Sequence, residues 1–127
     1  MLDRRHRLTT GAGFTTATRR GRRAGTRTLV LHLAVPGPPG PEAADPCRVG
    51  FVVSKAVGGA VVRNRVKRRL RHLTAERLTL LPDRALLVVR ALPGSAAATY
   101  DAMGRDFDVA LRRLDLTVDG TGRGGTA

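Results

Sequence analysis

SKAVGGAVVRNRVKRRLRHL, Ser54–Leu73, is the stretch from which the rest of the 127-residue chain is read. At about 100° per residue, Val62, Val66, Leu70 and Leu73 fall within one narrow sector of a helix, which marks them as its buried face. Arg63, Asn64, Arg65, Lys67, Arg68, Arg71 and His72 occupy the remaining arc, with Arg69 at the edge of the stripe. Six of the ten residues from Arg63 to His72 are Lys or Arg, and no acid stands between Asp45 and Glu76 to neutralise them. A solvated helix face ordinarily mixes signs so that residues four apart can pair. This helix repels itself, and it makes physical sense when a polyanion covers it, of which a phosphate backbone is the regular case.

Working outward, Arg48 to Ser54 alternates Val49, Phe51 and Val53 against Gly50 and Val52, a strand with Phe51 in the core and Cys47 as a small apolar residue at its start. Gly58-Gly59 supplies a turn into the basic helix, which is expected to continue to about Leu81 before Pro82-Asp83 breaks it. Ala85 to Leu92, ALLVVRAL, reads as a central strand, and the burial cost of Arg90 within it favours a place facing a polar cleft. Pro93-Gly94-Ser95 can cap a last helix whose Tyr100, Met103, Phe107, Ala110 or Leu111, and Leu114 repeat as a core stripe. Upstream, Thr28 to Val35 puts Leu29, Leu31, Leu33 and Val35 on one face of a half-buried strand, with His32 on the other as a surface residue. The connection after it holds five of the seven prolines and reads as an irregular loop. Thr10 can cap a first helix running to about Arg20, closed by Arg19, Arg20, Arg22 and Arg23 and carrying Phe14 and Ala17 on one side. Residues 1–9 are expected to form a mobile basic arm with Arg4, Arg5 and Arg7.

The formal charge of +13, from 23 basic and 10 acidic residues, calls for a polyanionic partner. No apolar run approaches the roughly 20 residues needed to span a bilayer, and no signal peptide is evident, so the expected place is the cytoplasm. One cysteine cannot make an intrachain disulfide, and with three scattered histidines it offers no metal spacing. GAGF at residues 11–14 lacks the Lys-Ser/Thr ending of a phosphate loop. His6, His32 and His72 have no nearby acid in sequence to orient them, so no residue is read as catalytic. Asp101 and Asp108 could line one helix face and ligate a divalent ion, but a solvated face is the simpler reading in a basic protein.

The run VVSKAVGGAVVRNRVKRRLR, Val52 to Arg71, resembles the signature of the protein subunit of bacterial ribonuclease P, whose mark is an Arg-Asn-Arg helix after a Ser-Lys strand end. Strand, Ser54-Lys55, glycine turn, Arg63-Asn64-Arg65 and a Lys-Arg-Arg-Leu-Arg continuation follow in that order, and flanking segments extend the resemblance over residues 4 to 115. It implies a protein that assists a large catalytic RNA in removing the 5′ leader of precursor tRNA, with Mg2+ held mainly by the RNA and none bound strongly by the protein. By position, Arg63, Asn64, Arg65, Lys67, Arg68, Arg69 and Arg71 would face the catalytic RNA, while Phe14, Ser54, Lys55 and Arg90 would line a cleft for the leader. Two departures touch that cleft: Thr18 stands where the family has a second aromatic, and Ala56 where a lysine often follows Ser-Lys.

The element order gives an α+β two-layer sandwich with helices against one small sheet. The resemblance adds about four strands in a mixed sheet, three helices and a left-handed βαβ crossover like that of some ribosomal proteins, whereas the general rule for parallel crossovers would give a right-handed one. Residues 1–116 are taken as one RNA-binding domain, and 117–127 as a disordered Gly/Thr-rich tail. The competing reading is a structural RNA-binding protein such as a ribosomal protein. Partners expected are the catalytic RNA and precursor tRNA, with neither membrane nor DNA, since Gly58-Gly59 after a strand poorly suits a DNA-binding helix-turn-helix.

Overall fold

Strand pairing is organised by β4 (Leu86–Ala91), which in the computed structural model lies between β2 (Leu29–Ala34) and β3 (Arg48–Val52). The structure describes His6 and residues 21–35, 47–82 and 84–115. A fourth strand, β1 (Arg22–Gly25), pairs with β2, giving the order β1-β2-β4-β3. The β1–β2 and β2–β4 pairs are antiparallel and β3–β4 is parallel, so the sheet is mixed. Parallel neighbours need a long crossover. Here it contains α1 (Ala60–Ala75), and α2 (Tyr100–Arg113) follows β4. The α+β architecture and the four strands agree with the sequence reading. Two α-helices lie among the described residues. The first helix expected from Thr10 to about Arg20, the arm at 1–9 apart from His6, and the tail at 117–127 fall outside them.

The core lies between the helices and one face of the sheet. Leu29, Leu31, Leu33, Val49, Leu87 and Val89 alternate onto that face, and all are nearly or fully buried. Val66, Leu70 and Leu73 of α1 and Met103, Phe107, Ala110 and Leu111 of α2 meet them in one contiguous cluster, with Val62 and Phe51 packed at its margin. The stripe read from the sequence is therefore the one buried. Each buried Val, Leu, Met or Phe among them contributes about 1.5–3 kcal/mol of hydrophobic stabilisation.

Four local expectations are corrected. Arg22 and Arg23 do not close a helix; they form the edge strand β1 opposite Leu33 and His32, held by a tight turn in which Thr26 N–H donates to the Leu29 carbonyl at 2.8 Å. β2 is not half-buried, because Val30 (6% exposed) and His32 (8%) on its second face are covered as well. An interior strand has neighbours' side chains on both flanks, and here these include Val88, Arg23 and Arg90. α1 stops at Ala75 rather than near Leu81. Thr74 Oγ1 bonds back to the Leu70 carbonyl at 2.8 Å, Arg77 Nη1 takes the Leu73 carbonyl at 2.9 Å, and the chain tightens into a 3-10 turn at Leu78–Leu80. Finally, α2 is capped by Thr99, whose Oγ1 accepts from Ala102 N–H at 3.0 Å, not by Ser95. Ser95 is buried in the 3-10 turn Pro93–Ala96 and donates to the Leu92 carbonyl. Gly94 in that turn is needed for close approach: a Cβ there would stand 2.9 Å from the Arg27 carbonyl oxygen.

Two carboxylates of α2 tie it to its neighbours, one just before the start of β2 and one just past the end of α1. Asp106 accepts from the Thr28 hydroxyl at 2.7 Å and the Thr28 N–H at 3.1 Å. Asp108 accepts two bonds from Arg77, at 2.7 and 3.3 Å, and the guanidinium lies 5.6 Å from the centre of the Phe107 ring. The hydrogen bond that Arg77 donates to Asp108 raises the Arg77 pKa further above its ordinary value, against the opposing effect of burial.

Candidate nucleic-acid interface

The basic helix is presented by a turn of fixed shape. Val57 N–H donates to the Ser54 carbonyl at 3.0 Å and Gly58 N–H to the Lys55 carbonyl at 3.1 Å, while the buried Val57 side chain anchors the turn. Gly58 has φ +155°, and a Cβ there would meet Val62 at 3.0 Å, so a glycine is required for the chain to enter α1. Ser54 and Lys55 are left exposed between the end of β3 and the start of the helix.

Three groups of cations and polar residues surround the buried stripe of α1. Asn64, Arg68 and His72 are exposed on the outward face, with Arg71 half-buried beside them. Arg63 and Lys67 flank one border of the stripe, and Arg65 and Arg69 the other, all four half-buried. The last two are engaged: Arg65 Nη2 donates to the Ala96 carbonyl at 2.7 Å and Arg69 Nη1 to the Ala98 carbonyl at 3.0 Å. The Nε atoms of Arg63 and Arg65 are buried without a hydrogen-bond partner. No acidic residue lies within α1, and Glu76 just beyond it stands 3.3 Å from Arg77. The helix therefore carries uncompensated positive charge along its exposed surface.

Arg90 lies on the sheet face opposite the helices, at the end of β4 where Val52 is its partner on β3. Since β4 is interior, Arg90 is not at a sheet edge. Ser54 is two residues beyond Val52, so the register brings Arg90 and the Ser54-Lys55 turn to the same end of the sheet. Phe14, the remaining cleft candidate, lies outside the described residues, as does Thr18. By register, Arg23, His32 and Arg48 share the face of Arg90 and were not singled out from sequence. Strand parity was the available signal, but parity becomes a shared face only once the pairing is known.

The family model described as Ribonuclease P matches residues 2–115. The chain belongs to the ribonuclease P protein family. Among its relatives, the ribonuclease P protein component of Streptomyces bikiniensis is 58% identical over 118 residues, covering 90% of this chain and 95% of that one. The component of Nocardioides sp. is 55% identical over 120 residues, covering 94% and 100%. The fold agrees with the solved ribonuclease P protein of Staphylococcus aureus, with a TM-score of 0.74 at 21% identity over 89% of this chain and 98% of that one. The Thermotoga maritima protein gives 0.66 at 20% identity, over 81% and 92%.

In this ribonuclease P protein two of the late acids are engaged by the fold: Asp108 accepts from Arg77 and Asp106 from Thr28. Among the described residues, no group of three or more His, Cys, Asp and Glu could hold a metal, and no helix is long and apolar enough to cross a membrane.

His32 adds a pH dependence. Burial, then the positive charges of Arg90 and Arg23, push its imidazole pKa below the ordinary 6.5. The folded state thus binds fewer protons than the unfolded one, and this contribution to stability is present above pH 6.5 and lost as the pH falls through the folded-state value. Urea unfolding between pH 7.5 and about 5 is expected to show a smaller loss of stability in His32→Gln than in the wild type. Identical pH profiles would show that His32 is not held neutral by the fold.

Proposed function

We propose that the protein docks on the catalytic RNA of ribonuclease P through α1 and guides the 5′ leader of precursor tRNA along the sheet face bearing Arg90. What supports this reading most is the acid-free charge of α1, fixed beside the Ser54-Lys55 turn. In this reading the helix that bears Arg63, Asn64, Arg65, Lys67, Arg68, Arg69 and Arg71 docks on the RNA as a unit, and Ser54, Lys55 and Arg90 meet the leader together with Phe14. Cations pair with phosphates while an aromatic ring stacks on a base for roughly 1–3 kcal/mol, and such contacts tolerate any sequence. With Thr18 in place of a second aromatic, Phe14 carries the stacking.

In this reading the phosphodiester hydrolysis belongs to the RNA, where bound Mg2+ would supply Lewis-acid activation of water and of the leaving oxygen. The protein binds, orients and discriminates. The same reading treats residues 1–116 as one RNA-binding domain with 117–127 as its tail, takes a left-handed sense for β3–α1–β4, and places the assembly in the cytoplasm. Family membership sets aside a ribosomal protein. A helix-turn-helix is excluded because α1 is followed by a 3-10 turn and β4 rather than a second short helix.

The test is reconstitution. RNA-free protein is expected to leave precursor tRNA intact, and addition of the RNA subunit with Mg2+ to give cleavage at the mature 5′ end at a precursor preference that the RNA alone lacks. Cutting by the protein alone, or an RNA subunit indifferent to the protein, overturns the reading.

A further inference from the structure

The cations of α1 are not equivalent. Arg65 and Arg69 stand one turn apart on the same border of the buried stripe, and each gives a guanidinium N–H to a backbone carbonyl about 30 residues away in sequence. Both acceptors belong to the segment between β4 and α2: Ala96 closes the 3-10 turn Pro93–Ala96, and Ala98 precedes Thr99, the cap of α2. That segment is itself fixed, by the approach of Gly94 to the Arg27 carbonyl and by the bond from Ser95 to Leu92. In Arg65 the Nη2 donates to the Ala96 carbonyl, and the Nε beside it is buried with no partner among the described residues, so the Nε–Nη2 edge of this guanidinium is turned toward the protein. Arg63, Lys67, Arg68 and Arg71 have no such tie among the described residues.

We propose that Arg65 and Arg69 are positioning residues: they set the seat of α1 against the β4–α2 connection, and thereby the placement of the leader face relative to an RNA gripped by the other cations. The proposal rests on the docking reading above. Without these ties, α1 retains its apolar seat but can roll about the Val66/Leu70/Leu73 stripe, carrying the RNA-facing side chains out of register with Ser54, Lys55 and Arg90.

The experiment compares full-length Arg65→Gln, Arg69→Gln, Arg65→Lys and Arg68→Gln proteins, each reconstituted with the ribonuclease P RNA subunit. Two quantities are read: the salt slope of protein–RNA binding, and the preference for precursor over mature tRNA at saturating protein. Arg68→Gln is expected to lower the slope by about one. Arg65→Gln and Arg69→Gln are expected to keep the wild-type slope while losing leader preference severalfold. Arg65→Lys, which keeps the charge but not the planar fork, is expected to lose preference as the glutamine variant does. In the free proteins, amide exchange across residues 93–100 is expected to speed up in both glutamine variants, a readout independent of RNA. A slope lowered as in Arg68→Gln, or full rescue by lysine, would identify Arg65 and Arg69 as phosphate contacts and overturn the proposal, as would wild-type preference in folded Arg65→Gln and Arg69→Gln. A wild-type slope in Arg68→Gln instead sinks the docking reading, with the exchange data still deciding whether the two ties hold the segment. Should one glutamine variant not fold, the other and the lysine variant carry the same comparison.

Discussion

Replacing Arg63, Lys67, Arg68 and Arg71 together by glutamine is expected to weaken binding to the catalytic RNA by about a thousandfold near 0.1 M salt. The estimate follows from counterion release. Each phosphate neutralised contributes about 0.7–0.9 to the slope of log K against log salt, so four lost contacts remove roughly three units from it. The fold is expected to survive, because none of the four belongs to the buried stripe of Val66, Leu70 and Leu73. Relief of like-charge repulsion along the helix would, if anything, raise the melting temperature slightly. Binding titrations from about 0.05 to 0.4 M salt, with circular dichroism as the control for folding, decide the matter. A folded quadruple variant with the wild-type slope would mean that α1 is a solvated surface.

Phe107→Ala is expected to cost about 3–5 kcal/mol of folding stability. That is a large part of the roughly 5–15 kcal/mol that holds a domain of this size together. The ring is 1% exposed and is the largest fully buried side chain among the described residues, in a chain with few aromatics to share the work. Its loss also removes the surface beneath Arg77, whose guanidinium is held by Asp108 at the junction of α1 and α2. The cavity would therefore loosen the C-terminal end of α1 as well as the core. Phe107→Leu, which refills part of the volume, is expected to recover a substantial share of the stability. Equilibrium urea unfolding measures both. A loss below about 1 kcal/mol for the alanine variant would show that the two helices pack without depending on this ring.

What the sequence disclosed about this fold was what periodicity can carry. Val66, Leu70 and Leu73 recur at helical spacing, as do Met103, Phe107, Ala110 and Leu111, and all are buried. The apolar run of β4 announced an interior strand. β1 was invisible because Arg22-Arg23-Ala24-Gly25 has almost no apolar pattern of its own; it is a strand because β2 offers it an edge. The burial of His32 was misread for a related reason, since covering of the second sheet face depends on neighbours rather than on alternation within β2. The acid-free run of cations was plain in the sequence, and in the structure it lies on the outward and border faces of α1. The division of labour within that run was not plain, because the carbonyls that engage Arg65 and Arg69 are backbone groups whose position depends on the turn at Pro93–Ala96. Likewise Arg23, His32 and Arg48 join Arg90 only through strand register.

The position of β4 also governs the order in which the molecule can be made. β2 and β3 are not neighbours; β4 enters between them, pairing Leu29 with Ala91 and Arg48 with Leu86. Both pairings span long loops, whose closure entropy must be met before the contacts that reward it, which makes such sheets slow to fold. During synthesis from the N-terminus, α1 leaves the ribosome before the strand that seats it and before α2, which completes its core. For that interval the nascent chain displays the cationic segment without the scaffold that holds it helical. Any RNA that binds only the completed form draws the chain forward by mass action, by an amount that grows with the logarithm of its concentration over Kd. An RNA with that preference therefore raises the yield of folded protein as its concentration rises.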